Sequence, residues 1–183
     1  MARISPTIID ELYRASEKGK AEIVEGEIIL MPPTGDLPSS AAGAIFASLF
    51  DYARRTRSSR AYSDNTGFLV DLPNRLSFSP DASFYVGERS GMRFLEGAPV
   101  FAVEVRSATD YGPKAERDLT DKRGDYFAAG TQVVWDVDLL AEGEVKVYRS
   151  GDPHHPTVYR RGEVAEAEPA VPGWRIPVDD LFA

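Results

Sequence analysis

The chain has no cysteine and only two histidines in 183 residues. The absence of cysteine excludes disulfides, thiol nucleophiles and cysteine-ligated zinc. The two histidines, His154 and His155, are adjacent in a proline-flanked segment that is typical of an exposed turn, and they provide too few ligands for a zinc centre. A metal site in this chain is therefore expected to use carboxylate oxygens.

Long apolar runs are also missing, so no segment has the length of a membrane span. The N-terminal segment carries acidic residues and lacks the apolar stretch of a signal peptide. These features predict a cytoplasmic protein without a membrane partner. The apolar content of 43% and charged content of 27% are ordinary for a globular chain, and the length predicts one domain over residues 1–183.

Basic residues are outnumbered by acidic ones, 21 to 29, which gives a net charge of −8. This balance argues against tight non-specific binding of nucleic acid. A local basic patch is nevertheless present, where a helix predicted over 37–57 ends. Its arginines either face the helix dipole and water or form a nucleic-acid-binding patch of Arg54, Arg55, Arg57 and Arg60.

Two acidic residues occupy positions that are costly for a charge. The stretch Val100–Val105 alternates with period two, which places Glu104 and Arg106 on one face of a predicted strand. Asp81 opens an earlier predicted strand, directly after Pro80. A carboxylate in such a strand loses much of its hydration. Two carboxylates about 5 Å apart repel each other by roughly 3 kcal/mol at an effective dielectric constant near 20.

A shared proton, a nearby basic side chain or a divalent cation would relieve this repulsion. Hard carboxylate oxygens suit Mg²⁺ or Mn²⁺ rather than zinc. The alternative is a structural acid that pairs with Arg106 or Lys122. Lys122 lies at the edge of the apolar face of a helix predicted over 114–129, so it either extends to solvent or points into a site.

The order of predicted elements favours an α+β (α/β) fold with a mixed sheet flanked by helices. A helix ending at Gly19 and a hairpin over 21–31 precede the helix over 37–57. Strands follow at 60–63, 67–71, 75–77, 81–87, 100–105, 131–138, 144–149 and 157–160, with a loop or short helix at 88–98. The helix over 114–129 joins two of these strands, which predicts a right-handed crossover between parallel neighbours.

The acidic motifs resemble those of PD-(D/E)xK nucleases. Ser79-Pro80-Asp81 matches the first half of that pattern, and Glu104-Val105-Arg106 matches the second, with arginine in place of lysine. Over most of its length the chain resembles the Uma-two family of proposed restriction endonucleases. The matching segments are 21–35, 63–74, 79–86, 101–110 and 121–138.

The resemblance implies a restriction-endonuclease-like fold and a metal-dependent endonuclease that acts on DNA, with a homodimer as the expected assembly. By the resemblance, Asp81 and Glu104 are metal ligands, Glu22 completes the site as a further metal ligand from the N-terminal side, and Lys122 takes the place of the motif lysine. Arg106, on the face of Glu104, is a candidate to hold a phosphate with two hydrogen bonds.

Two departures from the family pattern keep other functions open. Arg106 cannot act as a general base at neutral pH, and the helix after Pro32-Pro33 lacks a histidine that many relatives carry. These departures favour, as the alternative, a catalytically inactive nuclease-fold protein that serves as a binding or assembly module. A third possibility is an enzyme for another phosphodiester or nucleotide, which the weak basic patch suggests.

Overall fold

The computed structural model describes residues 6–57, 59–140 and 143–182. In these ranges the chain forms three α-helices, which are α1 (Pro6–Ser16), α2 (Asp36–Thr56) and α3 (Pro113–Ala128). The strands are β1 (Ala21–Val24), β2 (Glu27–Leu30), β3 (Arg60–Ser63), β4 (Phe68–Leu69), β5 (Ser77–Phe78), β6 (Ala82–Tyr85), β7 (Leu95–Glu96), β8 (Phe101–Val105), β9 (Val133–Asp138), β10 (Glu144–Arg149), β11 (Asp152–Arg160), β12 (Val164–Glu166) and β13 (Arg175–Pro177). A 3₁₀ helix, Val178–Phe182, follows.

The central sheet has six strands in the order β11-β10-β9-β8-β6-β3. Strands β8 and β9 are parallel and α3 connects them, so the predicted parallel pair is confirmed. The other neighbouring pairs of this sheet are antiparallel. The mixed sheet with flanking helices confirms the predicted fold class.

The two faces of β8 pack against different layers, as its alternation predicts. Phe101 and Val103 are fully buried against α2 and the C-terminal segment, whereas Ala102 belongs to the cluster on the other face with Tyr126 of α3. Helix α2 packs closely because three of its five buried residues are alanines; the buried residues are Ala41, Ala42, Ile45, Leu49 and Ala53. Trp135 is fully buried in the core.

The N-terminal hairpin of β1 and β2 turns through Glu25 and Gly26, both of which have positive φ. This two-residue turn suits the twist of a hairpin. The hairpin is attached to the rest of the fold where the amide of Ile23 donates to Ser77 Oγ (2.8 Å) and its carbonyl accepts from the amide of Leu76 (3.0 Å). This attachment brings β1, and with it Glu22, to the ends of β6 and β8.

Three predicted elements differ from the structure. The strand predicted at 67–71 is reduced to β4, and the segment predicted as a loop or short helix contains β7, which pairs with β4. Strand β11 begins at Asp152 and includes both histidines, which therefore lie in an edge strand and not in a turn. Prolines are tolerated there because an edge strand leaves some amides unpaired. None of the helices in the described ranges is long and apolar enough to cross a membrane.

Candidate active site

A cleft of about 1300 Å³ opens between the N-terminal hairpin, the ends of β6 and β8, and helix α3. Its lining includes five of the predicted site residues, which are Glu22, Asp81, Glu104, Arg106 and Lys122. Nine acidic and six basic residues line the cleft. The cleft as a whole is therefore acidic, in keeping with the net charge of the chain.

Asp81 is held at the start of β6 by the backbone of the neighbouring strand. Its amide donates to the carbonyl of Val103 (2.9 Å), and its Oδ2 accepts from the amide of Val105 (2.7 Å). Its Oδ1 accepts from Lys20 Nζ (2.6 Å). Because the backbone of β8 fixes the Asp81 carboxylate, this group is held beside Glu104, which is next to Val105 in the same strand.

Glu104 extends from the middle of β8 toward α3. Its Oε1 accepts from the hydroxyl of Tyr126 (2.6 Å), and its Oε2 accepts from Lys122 Nζ (2.8 Å). Burial raises the pKa of Glu104; Lys122 opposes this, but the negative charge of Asp81 adds to it, and the pKa stays above its ordinary value. A cation between the two acids would remove the cost of keeping both of them ionised.

Lys122 points into the cleft and joins two acids. Besides Glu104 it contacts Glu22 Oε1 at 3.0 Å, and its side chain is only 14% exposed. Burial lowers its pKa, but the charges of Glu104 and Glu22 outweigh burial, so the pKa is raised and the ammonium form is kept. Lys122 is therefore positioned to stabilise negative charge and not to accept a proton at neutral pH.

Glu22 is buried and fully engaged by donors within the protein. Its Oε2 accepts from Arg75 Nη1 (2.7 Å), and its Oε1 accepts from the amide of Ser79 (2.8 Å) in addition to the contact with Lys122. Burial raises its pKa, but Lys122 and Arg75 outweigh burial and the pKa is lowered. Glu22 lies beside the predicted pair of acids, where it contacts Lys122 at 3.0 Å. Its role as a metal ligand stays a prediction.

Arg106 does not present a free guanidinium to the cleft. It is 4% exposed and donates to both oxygens of Asp136 from Nε and Nη2, at 2.7 Å each. Glu116 accepts two further hydrogen bonds from Arg106, one from Nη2 at 3.1 Å and one from Nη1. The predicted role in holding a phosphate therefore does not fit, because internal carboxylates already occupy the donors that it requires.

The predicted arginine patch lies away from the cleft. A smaller cavity of about 180 Å³ beside Asp81 is lined by Ser39, in the first turns of α2. Arg54 follows fifteen residues later in the same helix, which at 1.5 Å per residue is roughly 22 Å away. Arg54, Arg55 and Arg57 are exposed, whereas Arg60 donates to Gly87 O and to Tyr62 Oη (3.2 Å). Binding of nucleic acid by this patch stays a prediction.

Sequence reasoning missed four side chains of the site: Lys20, Asp64, Arg75 and Tyr126. Lys20 contacts Asp81 and Asp64, Arg75 contacts Glu22, and Tyr126 contacts Glu104. These contacts join residues 22 to 61 positions apart in the chain. A periodic signal existed only for Tyr126, which lies four residues after Lys122 and so on the same helical face.

The donor chemistry of Asp81 and Glu104 fits Mg²⁺ or Mn²⁺. Magnesium is commonly held by one or two carboxylates, with water and substrate phosphate completing the coordination. Within residues 6–57, 59–140 and 143–182, no group of three or more His, Cys, Asp and Glu side chains is arranged as a metal site. A site made by these residues would therefore be a two-carboxylate site that depends on water and substrate oxygens.

Comparisons with known proteins agree with this fold. A solved structure described as a "putative nuclease belonging to DUF820", from Anabaena variabilis, matches with a TM-score of 0.71 and 21% identity, covering 88% of this chain and 89% of that one. At this identity the likeness shows the fold. A comparison with curated proteins found no match. The family model Uma2, described as "Putative restriction endonuclease", matches residues 9–179. The chain therefore belongs to the Uma2 family.

Proposed function

We propose that this protein is a metal-dependent endonuclease that hydrolyses phosphodiester bonds of DNA in the cleft of Asp81, Glu104 and Lys122. The observation that carries the proposal is the convergence of two carboxylates from adjacent strands with one buried lysine in an open cleft. The description of the Uma2 family supports the same class of reaction.

Asp81 and Glu104 would hold Mg²⁺ or Mn²⁺ through carboxylate oxygens that face the cleft. Such an ion, when bound, supplies Lewis-acid stabilisation of phosphate charge and lowers the pKa of water. The protein contributes the orientation of both ligands. The amide of Val105 fixes Asp81, and the hydroxyl of Tyr126 fixes Glu104, so that neither carboxylate has to reorganise when substrate arrives.

Lys122 would stabilise the negative charge that develops on the phosphate. Its ammonium group is held by Glu104 and Glu22 at 2.8 and 3.0 Å. Glu22 is a positioning residue in this proposal because Arg75 and the amide of Ser79 restrain it. A lysine held on one side by buried acids can still donate to a substrate oxygen on the cleft side, since an ammonium group has three donors.

The acidic cleft makes divalent cations important for substrate binding as well. Nine acidic against six basic residues do not attract a polyanion. We therefore expect tight binding of DNA in the cleft only when Mg²⁺, Mn²⁺ or a non-catalytic substitute such as Ca²⁺ is present. The predicted homodimer would double the number of DNA contacts, and it stays a prediction.

One observation favours a second function, that of an inactive binding or assembly module. Each of the four carboxylate oxygens of Asp81 and Glu104 already accepts a hydrogen bond within the protein. A site that these internal partners satisfied completely would bind neither metal nor phosphate.

A cleavage assay separates these functions. Wild-type protein is incubated with supercoiled plasmid, linear duplex, single-stranded DNA and RNA in Mg²⁺, in Mn²⁺ and in EDTA. The proposal expects metal-dependent cleavage of DNA that Glu104→Gln abolishes and that Glu25→Gln, an exposed acid lining the same cleft, retains. Equal cleavage by wild type and Glu104→Gln would refute the site. Absence of both cleavage and metal binding would favour the inactive module.

A further inference from the structure

Lys20 places an ammonium group directly on the first of the proposed metal ligands. Its Nζ donates to Asp81 Oδ1 at 2.6 Å and to Asp64 Oδ1 at 2.7 Å. The Lys20 side chain is 15% exposed, that of Asp81 is 19% exposed, and that of Asp64 is 44% exposed. The ammonium group therefore lies between an inner carboxylate, at the site, and an outer one, nearer to solvent.

The backbone of Lys20 is fixed, whereas its side chain can change partner. The carbonyl of Lys20 accepts from the amide of Met31 (2.9 Å), beside the hairpin. A lysine side chain carries its ammonium group on a flexible four-carbon stem, so this group can shift between neighbouring acceptors while the backbone stays in place. Asp64 keeps one acceptor available to Lys20 if Asp81 is taken by another cation.

Lys20 carries its charge in this position. A lysine side chain is ordinarily protonated at neutral pH, and the two carboxylate oxygens that accept from its Nζ, Asp81 Oδ1 at 2.6 Å and Asp64 Oδ1 at 2.7 Å, stabilise the charged form. A positive charge at hydrogen-bond distance from Asp81 Oδ1 strongly opposes a divalent cation at the same oxygen, since two cations a few ångströms apart repel each other.

We propose that Lys20 is an internal cation that takes the place of the divalent ion at Asp81 in the metal-free protein and moves toward Asp64 when the ion binds. This inference rests on the proposed function, because it concerns the same ligands. It gives Lys20 a role in setting metal affinity, and it gives Asp64 the role of accepting Lys20. The wild-type protein then binds divalent ions weakly, because each ion must first displace the ammonium group.

The test is a titration of the full chain with Mn²⁺. Binding is measured by calorimetry and, independently, by the electron paramagnetic resonance signal of free Mn²⁺. Lys20→Met is expected to bind Mn²⁺ about tenfold or more tightly than wild type, because no cation has to leave Asp81. Lys20→Gln, which keeps a polar group but no charge, is expected to do the same. The matched control is Lys18→Met, because Lys18 is an exposed lysine that lines the same cleft, and it should leave the affinity within about twofold of wild type.

Asp64 is tested by a double-mutant cycle. Asp64→Asn alone is expected to weaken Mn²⁺ binding, since Lys20 then has only Asp81 as a partner. In the Lys20→Met background the same substitution should have no effect, because Asp64 acts only through Lys20. A loss of affinity that persists in that background would make Asp64 a direct metal ligand and would overturn its proposed role.

Unchanged or weaker Mn²⁺ binding by both Lys20→Met and Lys20→Gln, with native circular dichroism, would overturn the inference. Cleavage of DNA is measured on the same preparations. Wild type that cleaves DNA while the Lys20 variants keep its Mn²⁺ affinity would refute the role of Lys20 and leave the nuclease proposal standing. Tighter Mn²⁺ binding by the Lys20 variants, without cleavage by any of the proteins, would support the role of Lys20 and refute the nuclease proposal.

Discussion

Substitution of Glu22 by glutamine tests whether this buried acid organises the site or binds the metal. Glu22 accepts hydrogen bonds from Arg75, the amide of Ser79 and Lys122. The substitution removes the negative charge that Arg75 and Lys122 share. It also places the amide NH₂ of glutamine, which can only donate, against one of these two cations. Breaking a buried ion pair costs about 3–5 kcal/mol. Because glutamine keeps one acceptor, we expect the free energy of unfolding to fall by about 3 kcal/mol.

Thermal and urea denaturation measure this loss. For a domain of this size, each kcal/mol shifts Tm by about 2–4 °C, so Glu22→Gln should melt about 6–12 °C lower than wild type. Glu27→Gln, at an exposed position of the same hairpin, is the control and should melt within about 2 °C of wild type. In the folded variant we expect nearly wild-type affinity for Mn²⁺. A small change in Tm together with a large loss of Mn²⁺ affinity would refute our assignment and make Glu22 a metal ligand.

The pH dependence gives a second readout for the same variant. The pKa of Glu22 is below its ordinary value of 4.5, so the folded state binds a proton less readily than the unfolded state. The stability that Glu22 contributes is therefore present above pH 4.5 and is lost as the pH falls through the folded pKa. The difference in stability between wild type and Glu22→Gln should shrink as the pH falls below 4.5, and a constant difference would contradict the argument.

Three further variants test other parts of the proposed site and the arginine patch. Tyr126→Phe removes the donor to Glu104 Oε1 and should lower the rate of DNA cleavage about 10- to 100-fold; an unchanged rate would remove Tyr126 from the site. Arg106→Met leaves Asp136 buried without its partner and should lower the free energy of unfolding, measured by urea denaturation, by about 3–5 kcal/mol. Unchanged stability together with a raised KM for DNA cleavage would instead support Arg106 as a phosphate ligand. If the arginine patch binds DNA, the double substitution of Arg54 and Arg55 by alanine should weaken binding of a 20-base-pair duplex and reduce its salt slope by about 2. It should not affect a hairpin with a four-base-pair stem, which at 3.4 Å per base pair is roughly 14 Å long and does not reach the patch. Equal effects on both DNAs would argue against a contact outside the cleft.

The sequence predicts the part of this site that local periodicity encodes. Alternation along Val100–Val105 places Glu104 on the face opposite the main core, and the structure confirms both faces of that strand. The position of Lys122 at the edge of an apolar helical face is compatible with a side chain that extends to solvent or one that points into a site. The contacts with Glu104 and Glu22 show that it points into the cleft.

Contacts between side chains that are far apart in the sequence cannot be predicted from local periodicity. Arg106 shares a face with Glu104 in the alternation, yet it pairs with Asp136, thirty residues later on the neighbouring strand. Lys20 reaches Asp81 across 61 residues because the hairpin returns to the end of the central sheet. Nothing around Lys20 in the sequence distinguishes it from the exposed Lys18.

Very short and edge strands escape prediction for a different reason. The two residues of β7 show no periodicity, since they form a strand only because β4 lies beside them. In β11, Pro153 and Pro156 indicate a turn by composition, but an edge strand accommodates them.

The central claim is that Asp81 takes part in metal-dependent cleavage of DNA, and the rate of plasmid cleavage by Asp81→Asn in Mg²⁺ tests it most directly. Asp118→Asn is the matched control, because Asp118 is an exposed acid that lines the same cleft and pairs with Lys114. We predict cleavage by wild type and by Asp118→Asn, and a rate at least about a hundredfold lower for Asp81→Asn. Cleavage by Asp81→Asn at the wild-type rate, with both variants folded, would contradict it.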